Sequence, residues 1–225
     1  MVAQDAGVEL VAVTGRPSGW GEVIARQWPI AGCVTENGAV FVVRDGEGVS
    51  RLDPCDAEER RRRRIRLAQL VEGVREIVPE ARLSDDVDAR RSDVTWDIGE
   101  RVRLPVDRVD QIARAVVEAG ARTTRSSVHL HATFDVDDKA SGAVRFLRDR
   151  FGEDEGAALA RWGFAGDSGN DAACFAAFRT TFGVANVRAW LGRLPIGPRY
   201  VASAPMGAGF AEIASALLNA RRRTW

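Results

Sequence analysis

Lysine is nearly absent from this chain. Lys139 stands alone, and every other member of the 32 Lys and Arg residues is arginine. A lone ammonium is either incidental or marks a pocket that the broader guanidinium fork cannot enter. Net charge is missing too: 32 acids balance 32 bases, so no global field draws the chain to nucleic acid or to an anionic membrane. No apolar run is long enough to span a bilayer and no secretory leader opens at Met1, so a cytoplasmic protein is expected. Cys33, Cys55 and Cys174 share no metal-ligand spacing and cannot all pair, which suits reduced thiols. His129 and His131 are the only histidines. At i and i+2 they share one strand face, where a structural or solvent-facing role is expected, since a zinc site would need further ligands.

What the chain does have is concentrated in a few short stretches. In 162–171, Trp162-Gly163-Phe164-Ala165-Gly166 is a short apolar run, and Asp167 and Asp171 then flank Ser168-Gly169-Asn170. This pattern delivers acids to the carboxyl edge of an α/β sheet, where such sheets bind ligands. Two Asp four residues apart suit a hard cation such as Mg2+, while the plainer reading makes Asp167 or Ser168 a helix cap. Lys139 carries the charge that would face a phosphate oxygen or a neighbouring carboxylate. Near the start, the apolar run from Val8 to Val13 ends in Thr14-Gly15-Arg16-Pro17. A hydroxyl and a following N–H at a strand end form a small anion cradle, although Thr-Gly is also ordinary turn chemistry. Asn37-Gly38 between two apolar β-rich segments predicts a hairpin.

The order of these signals suggests an interrupted core, and 225 residues leave room for one α/β core and an insertion. Residues 1–48 form the first part of the core, with a helix over Gly19 to Trp28 and a polar linker over Arg44 to Gly48. Residues 49–135 form an α+β insertion. Its arginine-rich helix runs from Glu58 to Ile77 with the arginines mostly covering solvent. It continues with a strand over Asp93 to Ile98, a helix over Val106 to Ala119 and one strand over Thr123 to Phe134, half-exposed by its alternation. Residues 136–225 return to the core through the helix after Lys139, the strand into Asp167, a strand over Thr181 to Val187 and a last helix over Gly209 to Ala220.

Thr14-Gly15-Arg16, Glu36-Asn37-Gly38-Ala39, Lys139 and Gly166 to Asp171, in that order, resemble the motifs of the haloacid dehalogenase superfamily of phosphatases. The likeness is to subclass IIB, which includes sucrose-phosphate phosphatase and mannosyl-3-phosphoglycerate phosphatase. It implies a Rossmann-like core, a parallel sheet with helices on both faces, carrying an inserted α+β cap. It further implies a Mg2+-dependent phosphomonoester hydrolase acting on a small phosphorylated molecule, a sugar phosphate. Asp167 would bind the metal, with Asp171 as a second ligand or as an anchor behind it. Thr14 and Gly15 would hold phosphoryl oxygens together with Arg16 and Asn37. Asn170 would orient Lys139, and Lys139 would offset charge on the phosphoryl group and the nucleophile. Cap residues Asp93, Asp97, Ser127 and His129 are candidates for reading substrate hydroxyls.

The family's first motif, an Asp-x-Asp at a strand end, carries the nucleophile, and none precedes Thr14; Asp5 stands alone. Met1 to Gly7 read as the end of a helix and its turn, and a misassigned start codon is expected over gene decay or deliberate truncation. Asp135-Val136-Asp137 comes after the Thr-Gly-Arg turn, the wrong order, and reads as a polar turn. Two other functions stay open: a non-catalytic remnant and a phosphosugar mutase, which returns the phosphate to its substrate.

Overall fold

The computed structural model describes residues 7–46 and 48–222; Met1 to Ala6, Asp5 among them, lie outside the described residues. The first sheet opens with β1 (Val11–Val13), and α1 (Ser18–Gln27) returns the chain to the parallel strand β2 (Gly32–Thr35). β3 (Val40–Asp45) and β4 (Gly48–Leu52) follow antiparallel, giving the order β1-β2-β3-β4. All four residues of β2 are buried, as the continuous apolar stretch demands.

The chain then leaves this sheet. α2 (Ala57–Ile77) starts on Asp56, whose carboxylate accepts the backbone N–H of Glu58 and Glu59. Next come β5 (Arg82–Leu83), β6 (Asp93–Asp97), α3 (Val106–Glu118), β7 (Arg122–Arg125) and β8 (His129–Thr133), with antiparallel sheet order β5-β6-β8-β7. Side chains alternate across this sheet. Val94, Trp96, Leu130 and Ala132 join Leu67, Leu70 and Val74 of α2 and Val109, Ile112 and Val116 of α3 in one apolar cluster. Each large buried side chain contributes about 1.5–3 kcal/mol. Asp93, Thr95, Asp97, His129, His131 and Thr133 occupy the opposite face, and all but Thr133 are buried. A polar face this deeply covered must find partners within the fold.

The chain returns through α4 (Lys139–Phe151) and α5 (Glu155–Arg161) to β9 (Gly163–Gly166), α6 (Ala172–Ala177), β10 (Thr180–Gly183), β11 (Tyr200–Val201) and α7 (Met206–Arg222). β11, β10 and β9 form a parallel sheet in that order. Phe146 of α4 meets Phe41 of β3 edge-on at 5.6 Å and shares a cluster with Val34, Phe164 and Phe175, so both parts of the core pack as one. Among the described residues β1 pairs with β2 alone and β9 with β10 alone.

Several local expectations are corrected. Thr123 to Phe134 is a hairpin, broken where the Ser126 hydroxyl accepts the N–H of Val128 and His129. β8 is buried on both faces, because the polar side lies against the rest of the protein rather than water. The Arg44 to Gly48 segment ends β3 and begins β4, so the first sheet runs on to Leu52. The strand expected over Thr181 to Val187 stops at Gly183, and a 3-10 turn (Ala185–Ala189) follows. Of the arginines expected to cover solvent, Arg60 is buried. Asn37-Gly38 does sit between paired strands, with Thr35 opposite Val40.

Candidate active site

The Glu36–Gly38 turn is built against steric resistance. Glu36 and Asn37 adopt positive φ of 49° and 56° without being glycine, a conformation that the surroundings must enforce. The enforcing contacts are visible. Asn37 donates its N–H to the Thr14 carbonyl at 3.1 Å, and Glu36 to that of Arg16 at 3.0 Å. Glu36 Oε2 accepts the N–H of Arg91 and Ser92 and the Ser92 hydroxyl at 2.7–2.9 Å. Its Oε1 is buried with no partner among the described residues. Burial, then the nearby Asp93 charge, push the Glu36 carboxyl above its ordinary range.

An added side chain would meet neighbours on both sides of this turn, and main chain where it touches α4. A Cβ on Gly15 would stand 2.9 Å from Asn37 Oδ1. Gly38, at φ +113°, would aim a Cβ to within 2.1 Å of the Asp138 carbonyl, and one on Gly142 would reach Gly38 Cα at 2.4 Å. The start of α4 therefore rests on the turn by main chain. Asp138 caps that helix by accepting the N–H of Ala140 and Ser141. Lys139 follows at the first helical position, buried, with its Nζ 2.7 Å from Asp171 Oδ1.

Asp171 organises the opposite wall. Its Oδ2 accepts the N–H of Asp167 at 2.9 Å and of Ser168 at 3.1 Å. With Lys139 on its other oxygen, Asp171 is fully engaged. Asp167, just beyond β9, keeps solvent access. Desolvation of its carboxylate and the Asp171 charge raise its pKa. It is the carboxylate here that a hard cation can approach. Among the described residues no three His, Cys, Asp or Glu side chains stand close enough to hold one ion. Asp167 fits Mg2+ as one ligand of an incomplete set.

A cavity of about 310 Å3 lies between the two parts of the fold, lined by Glu36, Asn37, Lys139 and Asn170 from the core. The opposite side carries Asp93, Arg122, Thr124, His131 and Thr133. His131 Nδ1 lies 2.9 Å from Asp93 Oδ2 and 3.3 Å from Asn37 Nδ2. Burial lowers the His131 pKa against the pull of Asp93. The buried Arg90 donates to Asp93 and to the Gly15 carbonyl at 2.9 Å, linking the two units beside the cavity.

The sequence-predicted residues are thus distributed unevenly. Asn37, Lys139 and Asn170 line the cavity; Thr14 and Gly15 adjoin it through the Asn37 turn, and Asp167 and Asp171 through Lys139. Asn170 Oδ1 accepts the Ser168 hydroxyl, while the Lys139 ammonium goes to Asp171. Arg16 turns away to the carboxylates of Asp86 and Glu100. Among the cap candidates, Asp93 reaches the cavity. Asp97 accepts four backbone N–H groups from Gly99 to Val102, His129 pairs with Glu100, and Ser127 lies in the exposed turn before β8. Asp135 and Asp137 pair with arginines, Arg60 and Arg63 for the first and Arg145 for the second. Sequence reasoning missed Glu36 as a buried anchor, Arg90 and the Arg122–Thr124 lining. Only the polar register shared by β6, β7 and β8 could have pointed to that lining.

The sequence matches no known family description and no curated protein. Solved structures do match. A Thermoplasma acidophilum protein, 0175, superposes with a TM-score of 0.70 at 17% identity, over 95% of this chain and 84% of that one. The sucrose-phosphatase of Synechocystis sp. PCC6803, solved with sucrose and phosphate, gives 0.67 at 15% identity, over 97% and 89%. A sugar phosphatase of HAD subclass IIB gives 0.63 at 16% identity, over 96% and 89%. This chain therefore shares the fold of these phosphatases of the haloacid dehalogenase superfamily, an α/β core with an inserted α+β module.

Proposed function

We propose that this chain carries the site of a Mg2+-dependent phosphomonoester hydrolase that acts on a small phosphorylated molecule, a sugar phosphate. The observation that carries the reading is the buried Lys139–Asp171 pair beside Asp167, with Lys139 lining the cavity. The similar structures, a sucrose-phosphatase and a sugar phosphatase, support the same substrate class.

In this reading Thr14 and the Gly15 N–H hold phosphoryl oxygens at the end of β1. Lys139 offsets the charge that develops on the phosphoryl group, and Asp171 fixes the ammonium so that little reorganisation accompanies the reaction. Asp167 would hold the cation, completed by carboxylates of the kind that the family's first motif supplies. Bound there, Mg2+ would neutralise anions that otherwise repel one another. Arg122, Thr124 and His131 face the leaving group and screen it from water. The nucleophile implied by the resemblance is an aspartate whose carboxylate attacks phosphorus as the ester oxygen leaves with the sugar, and water then cleaves the aspartyl phosphate to free phosphate and the original aspartate. It is not among the residues preceding Thr14. Among the described residues β1 and β9 each pair on one side alone, and a strand carrying it would pair with those edges.

The 225-residue chain is expected to release no phosphate from p-nitrophenyl phosphate with Mg2+. The protein extended upstream by an in-frame strand ending in Asp-x-Asp is expected to hydrolyse it. An extended, folded protein that releases no phosphate from any phosphorylated sugar would overturn the reading. Conversion to an isomeric sugar phosphate would instead indicate the mutase. Turnover by the 225-residue chain itself, its mass confirmed, would remove the missing-nucleophile argument.

A further inference from the structure

The chain passes between the two units twice, outward just after β4 and back just after β8. Asp53 lies on the first crossing and Asp135 on the second, and one buried guanidinium reaches both. Arg60, in the second turn of α2, donates Nε and Nη2 to Asp53 at 2.8 Å each. Its Nη1 donates to Asp135 Oδ2, and Arg63 Nη1 reaches Asp135 Oδ1 at 2.7 Å. The side chains of Arg60, Asp53 and Asp135 are only 8%, 13% and 9% exposed. The returning crossing is fastened again beyond Asp135. Arg122 Nη1 donates to the carbonyls of Asp135, Val136 and Asp137, and Arg145 of α4 pairs with the Asp137 carboxylate at 2.6 Å. Asp138 then caps α4, and Lys139 enters the cavity.

We infer that Arg60 is a positioning residue that ties the two crossings into one hinge and, through Asp135, sets where Lys139 stands. Two features of its chemistry fit the task. A guanidinium can satisfy a bidentate carboxylate and a second acceptor at once, which an ammonium cannot do in the same plane. Burial of both pairs excludes the water and salt that weaken exposed ones. Asp135 is four residues before Lys139, and Asp138, the cap of α4, lies between them, so displacement of Asp135 is transmitted along a short segment whose carbonyls at 135–137 are held by Arg122. The inference concerns geometry and holds whether or not the chain hydrolyses phosphate.

Hydrogen exchange on the 225-residue protein and its variants tests it, with peptides covering 53–56, 134–141 and 93–97. Arg60→Ala is expected to speed exchange at both crossings by about tenfold or more, with β6 unchanged. Arg60→Lys is expected to release at least one crossing, because the charge stays but the fork is lost. Asp53→Asn should loosen 53–56 alone, and Asp135→Asn should loosen 134–141 alone. Equal acceleration everywhere in Arg60→Ala, β6 included, would reduce Arg60 to a general stabiliser and overturn the proposal. So would wild-type exchange at 134–141. If Arg60→Ala does not fold, the two asparagine variants decide: the same response from both, or none, overturns the hinge.

Discussion

Lys139 Nζ and Asp171 Oδ1 stand 2.7 Å apart with their side chains 7% and 5% exposed, joining the first turn of α4 to the loop beyond β9. A pair so deeply desolvated gains little net stability by existing, yet removing one partner strands the other charge. Lys139→Met and Asp171→Asn are each expected to destabilise the protein by about 3–5 kcal/mol, and the double variant by less than the sum. Urea unfolding of the four proteins gives the coupling. Additive losses would mean that the two side chains do not form a pair in solution.

The same ammonium should be irreplaceable in chemistry. In the upstream-extended protein, Lys139→Arg is expected to lower kcat by about a hundredfold or more while retaining the charge, because the broader guanidinium displaces the phosphoryl group. Steady-state kinetics at saturating substrate provide the check. A near-normal kcat would take Lys139 out of the site.

Gly38→Ala and Gly142→Ala should each destabilise strongly, by about 3 kcal/mol or more, since the new methyl meets main chain that cannot swing aside. Gly46→Ala is the control: its φ is +56°, but nothing lies within 4 Å of the added methyl. Only the left-handed backbone would penalise it, by about 1–2 kcal/mol. Equal losses in all three variants, measured as shifts in urea midpoint, would contradict the close approach of α4 to the turn.

Glu36 gives the pH dependence a definite sign. Its folded-state pKa is raised, by burial first and by Asp93 second. Its contribution is therefore fully present below the unfolded carboxyl pKa of about 4.3 and is lost as pH rises through the folded value. Glu36→Gln keeps an acceptor for Arg91 and Ser92 without the buried charge. Thermal melts at pH 5 and pH 8 should show the wild type losing stability relative to Glu36→Gln on going to pH 8. A parallel response would show that Glu36 ionises as freely as in the unfolded chain.

The edges of β1 and β9 that are unpaired among the described residues carry a prediction of their own. Each unsatisfied backbone group costs about 1–3 kcal/mol, against a total stability of about 5–15 kcal/mol for a typical domain. The 225-residue chain is expected to self-associate and melt broadly, and the upstream-extended protein to melt sharply as a discrete species. Light scattering with calorimetry distinguishes them, and a sharp cooperative melt of a monomeric 225-residue chain would contradict the expectation.

Much of the α/β framework was legible because it is written locally. Apolar runs ending in Thr14 and Gly166, the Asn37-Gly38 turn and the helix after Lys139 are each stated within a few residues. What escaped depends on partners distant in sequence. Arg60 looks like its arginine neighbours until Asp53 and Asp135 are brought to it. Asp97 looks free to read a substrate hydroxyl until its carboxylate is occupied by the backbone from Gly99 to Val102. Arg16, expected at phosphate, finds Asp86 and Glu100 because an insertion carries them over it. The break between β7 and β8 was hidden because Ser126 and Ser127 are weaker punctuation than glycine or proline.

The two-sided sheet of β5 to β8 separates two kinds of evolutionary freedom. Val94, Trp96, Leu130 and Ala132 answer to the helices, while Thr95, Thr124, His131 and Thr133 face the other way. Because the strand repeat is two residues, a substitution on one side leaves the neighbouring apolar layer untouched. Recognition can therefore diversify residue by residue along a strand whose folding is secured by the positions in between.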